Sequence, residues 1–172
     1  MQIKVLEYME HLIIPKRMLG WREWVGLPEL AIPAIKAKVD TGARTSALHA
    51  FYIKPYIAAD SMEYVRFGIH LKRKTRTVEK ECIARVVDRR SITDSGGHSE
   101  LRIVIHTPII IGTESWPVEI TLTNRDGLKH RMLLGRSALS GRFQIDIAHS
   151  YLSGKPERDT YKALAQGFTK TT

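Results

Sequence analysis

Apolar and polar residues alternate with a period of two along much of this chain, and this alternation constrains the fold more than any other feature. The clearest case is a segment whose apolar residues share one face: Trp116, Val118, Ile120 and Leu122. Residues 65–71, 101–105 and 143–147 repeat the pattern. A period of two is that of a β-strand with one buried face. The sequence therefore predicts several half-buried strands.

Turn-forming residues separate these strands. Asn124-Arg125-Asp126-Gly127 and Ser95-Gly96-Gly97 contain residues that tolerate positive φ. Helical periodicity is scarce: one helix is expected at 156–166, with Pro156 near its first turn and Gly167 just past its end. Several short strands joined by turns predict an all-β fold, a barrel or a sandwich, with little helix.

The 172 residues contain no internal repeat, low-complexity tract or linker, which predicts one folded domain. We place it at 17–153, between an N-terminal extension (1–16) and a C-terminal tail (154–172) that holds the expected helix. No stretch approaches the ~18 apolar residues of a membrane helix, and Glu7 and Glu10 interrupt what a signal peptide would keep apolar. One cysteine, Cys82, cannot form an intrachain disulfide. We therefore expect a cytoplasmic protein without a membrane segment.

The net charge of +9 predicts attraction to an acidic partner. Nucleic acid, a ribosomal surface and an acidic peptide all fit this charge. The densest basic cluster is Lys72-Arg73-Lys74-Thr75-Arg76, which we interpret as the solvated end of a hairpin. Nucleic-acid binding is not expected, because Tyr64 and Phe67 precede the cluster instead of alternating with it, and no zinc knuckle is present.

One short segment, Ala37-Lys38-Val39-Asp40-Thr41-Gly42-Ala43, contains the chemistry of a catalytic site. An aspartic peptidase needs a carboxylate fixed at a strand end, and here Asp40 follows an apolar strand directly. Gly42 lets the backbone approach the carboxylates and a substrate closely. The hydroxyl of Thr41 can brace one loop against a partner loop, and Ala43 is small enough to lie under a substrate. Alone, Asp-Thr-Gly also fits an ordinary turn.

A second segment, Met132-Leu133-Leu134-Gly135-Arg136-Ser137-Ala138-Leu139, makes the first more specific. It is an apolar strand that ends at Gly135 and leads into a short helical turn. In aspartic peptidases such a strand passes beside the catalytic loop and closes a ψ-shaped crossing in the barrel. The two segments occur in the required order within one small chain.

The segments Asp40-Thr41-Gly42-Ala43 and Leu133-Leu134-Gly135-Arg136 resemble retroviral proteases. A closer resemblance spans about 20–152 and is to the bacterial and archaeal family labelled as ATP-dependent zinc proteases, also described as retropepsin-like and as associated with RimK and LysX. Its matching stretches are Gly20-Trp21-Arg22-Glu23-Trp24-Val25, Leu27-Pro28-Glu29-Leu30, Val39-Asp40-Thr41-Gly42-Ala43-Arg44-Thr45-Ser46-Ala47-Leu48-His49 and Leu122-Thr123-Asn124-Arg125. The resemblance implies a closed retropepsin-like barrel with a flap. It also implies a partner: an ATP-grasp ligase that adds glutamates to a ribosomal protein tail.

Although that label names zinc and ATP, the residues predict no metal site and no cofactor. A His-Glu-x-x-His helix is missing, and the nearest pair of histidines is His98 and His106. No glycine-rich phosphate loop ending in Gly-Lys-Ser/Thr is present. A zinc site assembled only in the fold stays open as an alternative. Any ATP would belong to the ligase partner.

Aspartic catalysis needs two carboxylates, and one Asp-Thr-Gly per chain therefore predicts a homodimer. A single-chain alternative would use Asp94-Ser95-Gly96 with Ile110-Ile111-Gly112 as its crossing strand. Its two halves would interleave, because Asp94 lies between Asp40 and that strand. We instead interpret 90–100 as a flap hairpin, whose tip glycines Gly96 and Gly97 would contact the substrate.

Arg44 and Arg136 bear on the substrate. Retroviral proteases have acidic residues directly after Asp-Thr-Gly-Ala, where this chain has Arg44 and Thr45. Arg44 facing Arg136 would repel it, so dimer contacts and substrate contacts must differ from those enzymes. Two arginines near the cleft suit an acidic, glutamate-rich peptide.

The predicted function is a homodimeric, metal-independent aspartic endopeptidase. The alternative is a non-catalytic module of the same fold that regulates a ligase or ribosomal partner. Trp21 and Trp24 are expected to anchor the core or a dimer surface.

Overall fold

The computed structural model describes residues 17–73, 76–93, 96–124, 130–158 and 162. Within them lie eleven strands and one short helix: β1 (Arg17–Gly20), β2 (Arg22–Leu27), β3 (Ile32–Val39), β4 (Ser46–His49), β5 (Tyr52–Ile57), β6 (Glu63–Arg73), β7 (Arg76–Thr93), β8 (Ser99–Ile111), β9 (Glu114–Thr123), β10 (Met132–Leu134), α1 (Arg136–Leu139) and β11 (Phe143–Asp146). The 1–16 extension, the turn residues 125–127 and most of the expected C-terminal helix lie outside the described residues. No helix in the described ranges has the length and hydropathy needed to span a bilayer.

Six strands close into a barrel. They hydrogen-bond in the cycle β2-β3-β10-β4-β9-β8, and β8 returns to β2 where Ile110 pairs with Gly26. Strands β7, β6 and β5 continue from β8 as an antiparallel extension, while β1 and β11 form a separate parallel pair. The predicted all-β class, the closed barrel and the scarcity of helix are confirmed.

The core follows the alternation in the sequence. Val118, Ile120 and Leu122 are buried, as are all four apolar residues of the 65–71 segment. Each fully buried side chain of this size contributes roughly 1.5–3 kcal/mol through removal of apolar surface from water. Two predicted core residues are instead exposed. Leu101, 66% exposed, lies on β8 where it pairs with β7, and Ile147, 84% exposed, follows the end of β11.

The ψ-shaped crossing forms as predicted. Strand β10 runs parallel to β3 and antiparallel to β4, so it lies between the two strands that the loop 40–45 connects. At the end of β3, the Asp40 amide donates to the Leu134 carbonyl over 2.9 Å. Beyond β10, the Trp116 Nε1–H donates to the Ala138 carbonyl over 3.0 Å, which holds α1 against β9. The crossing therefore fixes both ends of the loop that contains Asp40.

The 90–100 segment belongs to a hairpin of β7 and β8, called here the flap hairpin (Arg90–Thr93 paired with Ser99–Arg102). Gly97 has φ +83°, a conformation that favours glycine. Asp94 and Ser95 lie outside the described residues. The single-chain alternative needs Ile110-Ile111-Gly112 as a second crossing strand. Ile110 instead pairs with Gly26 and Ser115, so the described strands contain no second ψ crossing. At the other end of β7, Arg76 pairs with Arg73, so the described residues of the basic cluster end the β6–β7 hairpin as predicted, while Lys74 and Thr75 lie outside the described residues.

Candidate active site

The Asp40 carboxylate is held by the backbone of its own loop. Its Oδ1 accepts the amide hydrogens of Gly42 at 3.1 Å and Ala43 at 3.2 Å. A Cβ added to Gly42 would lie 3.2 Å from that same oxygen, a tight contact that glycine avoids. Two backbone donors fix the carboxylate in one orientation at the strand end. Asp40 itself is half-buried.

The segment after β10 braces this loop from the other side. The amide of Arg136 donates to Ala43 O at 2.9 Å, and Ser137 donates to Arg44 O from both its amide, at 3.0 Å, and its Oγ, at 2.8 Å. Arg136 Nη1 adds bonds to the carbonyls of Thr41 at 2.7 Å and Gly42 at 3.0 Å. A buried cross-link, Gly135 N to Ser46 Oγ at 3.1 Å, completes the contact.

Gly135 is required by this close approach. A Cβ there would lie 2.5–2.7 Å from backbone atoms of Arg44 and Thr45. Its φ of −78° is available to any residue, so crowding alone selects glycine at this position. The Leu-Leu-Gly pattern in the sequence therefore reflects contact between β10 and the Asp40 loop.

A cleft of about 1280 Å³ opens above the loop. On one side it is lined by the loop residues Asp40, Gly42, Ala43, Arg44 and Thr45. The flap hairpin forms the opposite side through residues 90–93 and 102, and the outer face of the barrel forms the floor through Ala47, Glu119, Thr121 and Leu133. Asp40 thus lies at the edge of an open cleft.

Three arginines line the cleft, and their partners differ. Arg90 donates to both carboxylate oxygens of Glu119, at 2.6 and 2.9 Å, and to Asp88 at 2.6 Å. These bonds raise the pKa of Arg90, and the bond from Arg90 lowers the pKa of Glu119. Arg102, 8% exposed, donates to Glu100 at 2.7 Å. Arg44 is exposed, and its guanidinium has no hydrogen-bond or ion-pair partner within the described part of the chain.

The residues predicted for the site are only partly brought together. Asp40, Gly42, Ala43 and Arg44 line the cleft. Thr41 is exposed beside them, and Arg136 is turned toward the loop carbonyls, so its role in substrate binding stays a prediction. Gly96 and Gly97 lie past the paired arms of the flap hairpin and are not among the lining residues.

Sequence reasoning missed Arg102, Glu119 and Thr121. Their side chains reach the site because β8 and β9 place them there, and only the strand register identifies them. The anchor Ser46 was also missed, although it belongs to the Asp-Thr-Gly-Ala stretch. Its hydroxyl accepts from Gly135, and its carbonyl accepts from the Thr121 hydroxyl at 3.1 Å.

The side chains of this structure bear on the zinc that the family label names. Across 17–73, 76–93, 96–124 and 130–158, no three His, Cys, Asp or Glu side chains lie close enough together to hold a metal ion. These residues do not fit a zinc centre.

Two curated proteins with the same name are similar to this chain. A "Probable alpha-L-glutamate ligase" of Shewanella pealeana is 44% identical over 140 residues, which cover 81% of this chain and 30% of that protein. One with the same name from Desulfotalea psychrophila is 42% identical over 157 residues, covering 91% and 33%. The chain thus spans about a third of the length of these curated relatives.

A solved structure and a family model also match this chain. The structure is a protein of unknown function from Legionella pneumophila, with a TM-score of 0.62 and 25% identity, covering 80% of this chain and 98% of that one. The family model is described as "RimB-like: Retropepsin-like aspartic endopeptidase RimB" and matches residues 18–156. That match covers most of the chain, and the chain belongs to the RimB-like family of retropepsin-like aspartic endopeptidases.

Proposed function

We propose that this chain is an aspartic endopeptidase that works as a homodimer, with Asp40 of each subunit forming one catalytic pair. The observation that carries the proposal is the Asp40 loop: a carboxylate oriented by two backbone amides, braced by the ψ crossing, and open to a cleft under the flap hairpin. An ordinary Asx turn also has such amide bonds, as Asp60 shows, but it needs neither the ψ crossing nor the cleft.

The chemistry requires the second Asp40. Two carboxylates about 3 Å apart share one proton, because repulsion prevents both from being ionised, as in aspartic peptidases generally. The ionised carboxylate removes a proton from a water molecule, which attacks the peptide carbonyl. The protonated carboxylate donates to the developing oxyanion. In one chain the Thr41 hydroxyl is exposed beside this carboxylate, where it can brace the partner's loop.

The proposed substrate is an acidic, glutamate-rich peptide. Arg44 supports it, because an exposed guanidinium without a carboxylate partner in the described part of the chain can bind a substrate carboxylate. The curated relatives support it too, since they are named glutamate ligases and contain a segment similar to this chain. We propose that such an ATP-grasp ligase is the functional partner of this peptidase in the cytoplasm.

The proposal is tested by mass-spectrometric cleavage of a peptide library that includes oligo-glutamate chains, from pH 4 to 8, with and without a metal chelator. Asp40→Asn keeps an Oδ1 acceptor for both loop amides but removes the carboxylate. Asp60→Asn is the matched control, because Asp60 Oδ1 also accepts an amide two residues ahead, from Met62 at 2.9 Å, and Asp60 does not line the cleft.

We expect chelator-insensitive cuts that vanish in Asp40→Asn and persist in Asp60→Asn. Sedimentation of the active species should give a dimer. Cleavage that survives Asp40→Asn would overturn the assignment of the carboxylate, and loss of cleavage with the chelator would indicate a metal.

A non-catalytic binding module is the second candidate. It is favoured by the names of the relatives, which state a ligase activity and no peptidase activity. The test is to add the wild-type chain and the Asp40→Asn variant to the ligase in parallel. If neither chain cuts a peptide at any pH and both alter ligase turnover equally, the module is correct and the peptidase is not.

A further inference from the structure

A second basic region lies outside the cleft, on the outward side of β2 and β3. We call it the basic surface, and define it by four cations and two aromatic rings: Arg22, Lys36, Lys38, Lys155, Trp24 and Tyr151. The three lysines are exposed, and Arg22 and the rings are half-buried. Neither the loop chemistry nor the cleft uses these residues.

The rings gather the cations together. The ammonium groups of Lys36 and Lys155 lie 5.1 and 4.6 Å from the centroid of the same Trp24 ring. Lys36 and the Arg22 guanidinium each lie 5.4 Å from the Tyr151 ring, which packs 5.7 Å from Trp24. Cation–π attraction within about 6 Å offsets part of the repulsion between these like charges.

The backbone holds Tyr151 in this position. Tyr151 has φ +60°, which is uncommon for a residue with a side chain, and its amide donates to Arg22 O at 2.7 Å. The adjacent Leu152 and Ser153 amides donate to the buried Glu23 carboxylate, at 3.0 and 3.3 Å. The ring that gathers the cations therefore belongs to a fixed segment.

These cations have no anionic partner within the described residues. In those ranges, no Asp or Glu forms an ion pair with any of the four, and the Arg22 guanidinium hydrogen-bonds only to Ser150 Oγ, at 3.3 Å. By contrast, Arg66, Arg89, Arg90 and Arg102 each bind a carboxylate. Within the described residues, the positive charge of the basic surface is thus not paired with a carboxylate, and such a charge attracts an anion.

The strand register connects this surface to the cleft. Residues paired across neighbouring strands point to the same side of a sheet. Such a row runs from Thr121 to Ala47, Leu133, Lys38 and Arg22. The first three line the cleft, and the last two belong to the basic surface. The cleft floor and the basic surface are one continuous face.

We propose that the basic surface is an exosite for an acidic peptide chain, binding its carboxylates while the adjoining part of the same chain lies in the cleft. The cleft part of this statement rests on the proposed function, but the exosite does not require cleavage. A peptide fits better than single-stranded nucleic acid, because bases need open ring faces for stacking and here Trp24 and Tyr151 are half-buried with cations over them.

Binding is measured by fluorescence anisotropy of a labelled oligo-glutamate about a dozen residues long, with Asp40→Asn as the parent so that nothing is cut. Lys36→Gln combined with Lys155→Gln removes two cations. Lys54→Gln is the matched control, because Lys54 on β5 also lies over an aromatic ring, 5.5 Å from the Tyr52 centroid. Labelled oligo-uridine of equal length is the second probe.

The double variant should weaken oligo-glutamate binding about tenfold, which equals about 1.4 kcal/mol for the two lost exposed ion pairs together, and the control should change it less than about twofold. Raising the salt from about 50 to about 300 mM should reduce this difference. Equal weakening in Lys54→Gln, or tighter binding of oligo-uridine than of oligo-glutamate, would overturn the exosite. Binding with the expected pattern in a chain that cuts no peptide would retain the exosite and refute only the peptidase.

Discussion

Gly135→Ala provides the sharpest test of how the fold supports the site. The new Cβ would lie 2.5 Å from the Thr45 carbonyl carbon and 2.7 Å from the Arg44 and Thr45 oxygens, where an ordinary contact begins near 3.4 Å. The backbone conformation of Gly135 suits alanine, so the only direct effect is crowding. Either the Asp40 loop or the chain after β10 must therefore move by several tenths of an ångström or more.

The expected loss of stability follows from two contributions. Overpacking a well-filled site costs about 1–3 kcal/mol. The same shift lengthens the bonds that join this segment to the loop, from Gly135 to Ser46, Arg136 to Ala43 and Ser137 to Arg44, each worth about 1 kcal/mol. We expect the unfolding free energy to fall by about 3–5 kcal/mol and Tm by roughly 10 °C.

Urea unfolding followed by tryptophan fluorescence measures this change, with m unchanged as the check on two-state behaviour. Gly141→Ala is the control, because it introduces backbone strain without crowding: φ is +79° and no atom lies within 4 Å of the added Cβ. Backbone strain alone should cost it about 1–2 kcal/mol. If the proposed peptidase activity is present, Gly135→Ala should lower kcat about 100-fold, since it displaces Asp40, and Gly141→Ala should leave it near wild type. A Gly135→Ala variant within about 1 kcal/mol of wild type would refute the tight crossing.

Three further predictions concern single residues. Glu23→Gln should lower the unfolding free energy by about 2 kcal/mol in urea titrations. The buried carboxylate accepts hydrogen bonds from three backbone amides, and the glutamine side chain would turn its NH₂ group toward one of these donors. An unchanged unfolding free energy would mean that those hydrogen bonds are absent. Burial raises the pKa of Cys82 from 9.0 to about 11, so the thiol ionises at a lower pH in the unfolded state than in the folded state. The unfolding free energy should therefore fall by up to about 2 kcal/mol between pH 9 and 11, and Cys82→Ala should remove this pH dependence. Arg136→Ala should lower kcat about tenfold with KM unchanged if its bonds to Thr41 and Gly42 position the loop, whereas a rise in KM alone would place Arg136 on the substrate.

The sequence predicted those features that are local or that depend on the order of two segments. Asp40 and Leu134 could be placed side by side because a strand ending in aspartate and a later apolar strand ending in glycine imply the crossing that the structure contains. The alternation at 116–122 identified the correct buried face because β9 lies in the barrel wall with one side in the core.

Features that depend on long-range register could not be predicted. On β8, four consecutive residues from Arg102 to Ile105 are buried, so alternation fails there, while Leu101 is exposed on the flap hairpin. Arg102 and Glu119 enter the cleft only because β7, β8 and β9 pair as they do. Trp24 and Tyr151 lie near opposite ends of the described chain, and no local pattern indicates that their rings pack together.

The pairing of β1 with β11 has a mechanical consequence. Because the two strands are parallel, a pull on the chain before Arg17 and after Asp146 drags them in opposite directions along their length, and their hydrogen bonds share the load. The buried Glu23 carboxylate accepts hydrogen bonds from Gly20 and from residues 152 and 153, which adds a second connection between the same two parts of the chain. Such shear geometry resists force better than strands peeled apart one bond at a time. Force applied between these two points should therefore be resisted first by this pair of strands, before the barrel is loaded.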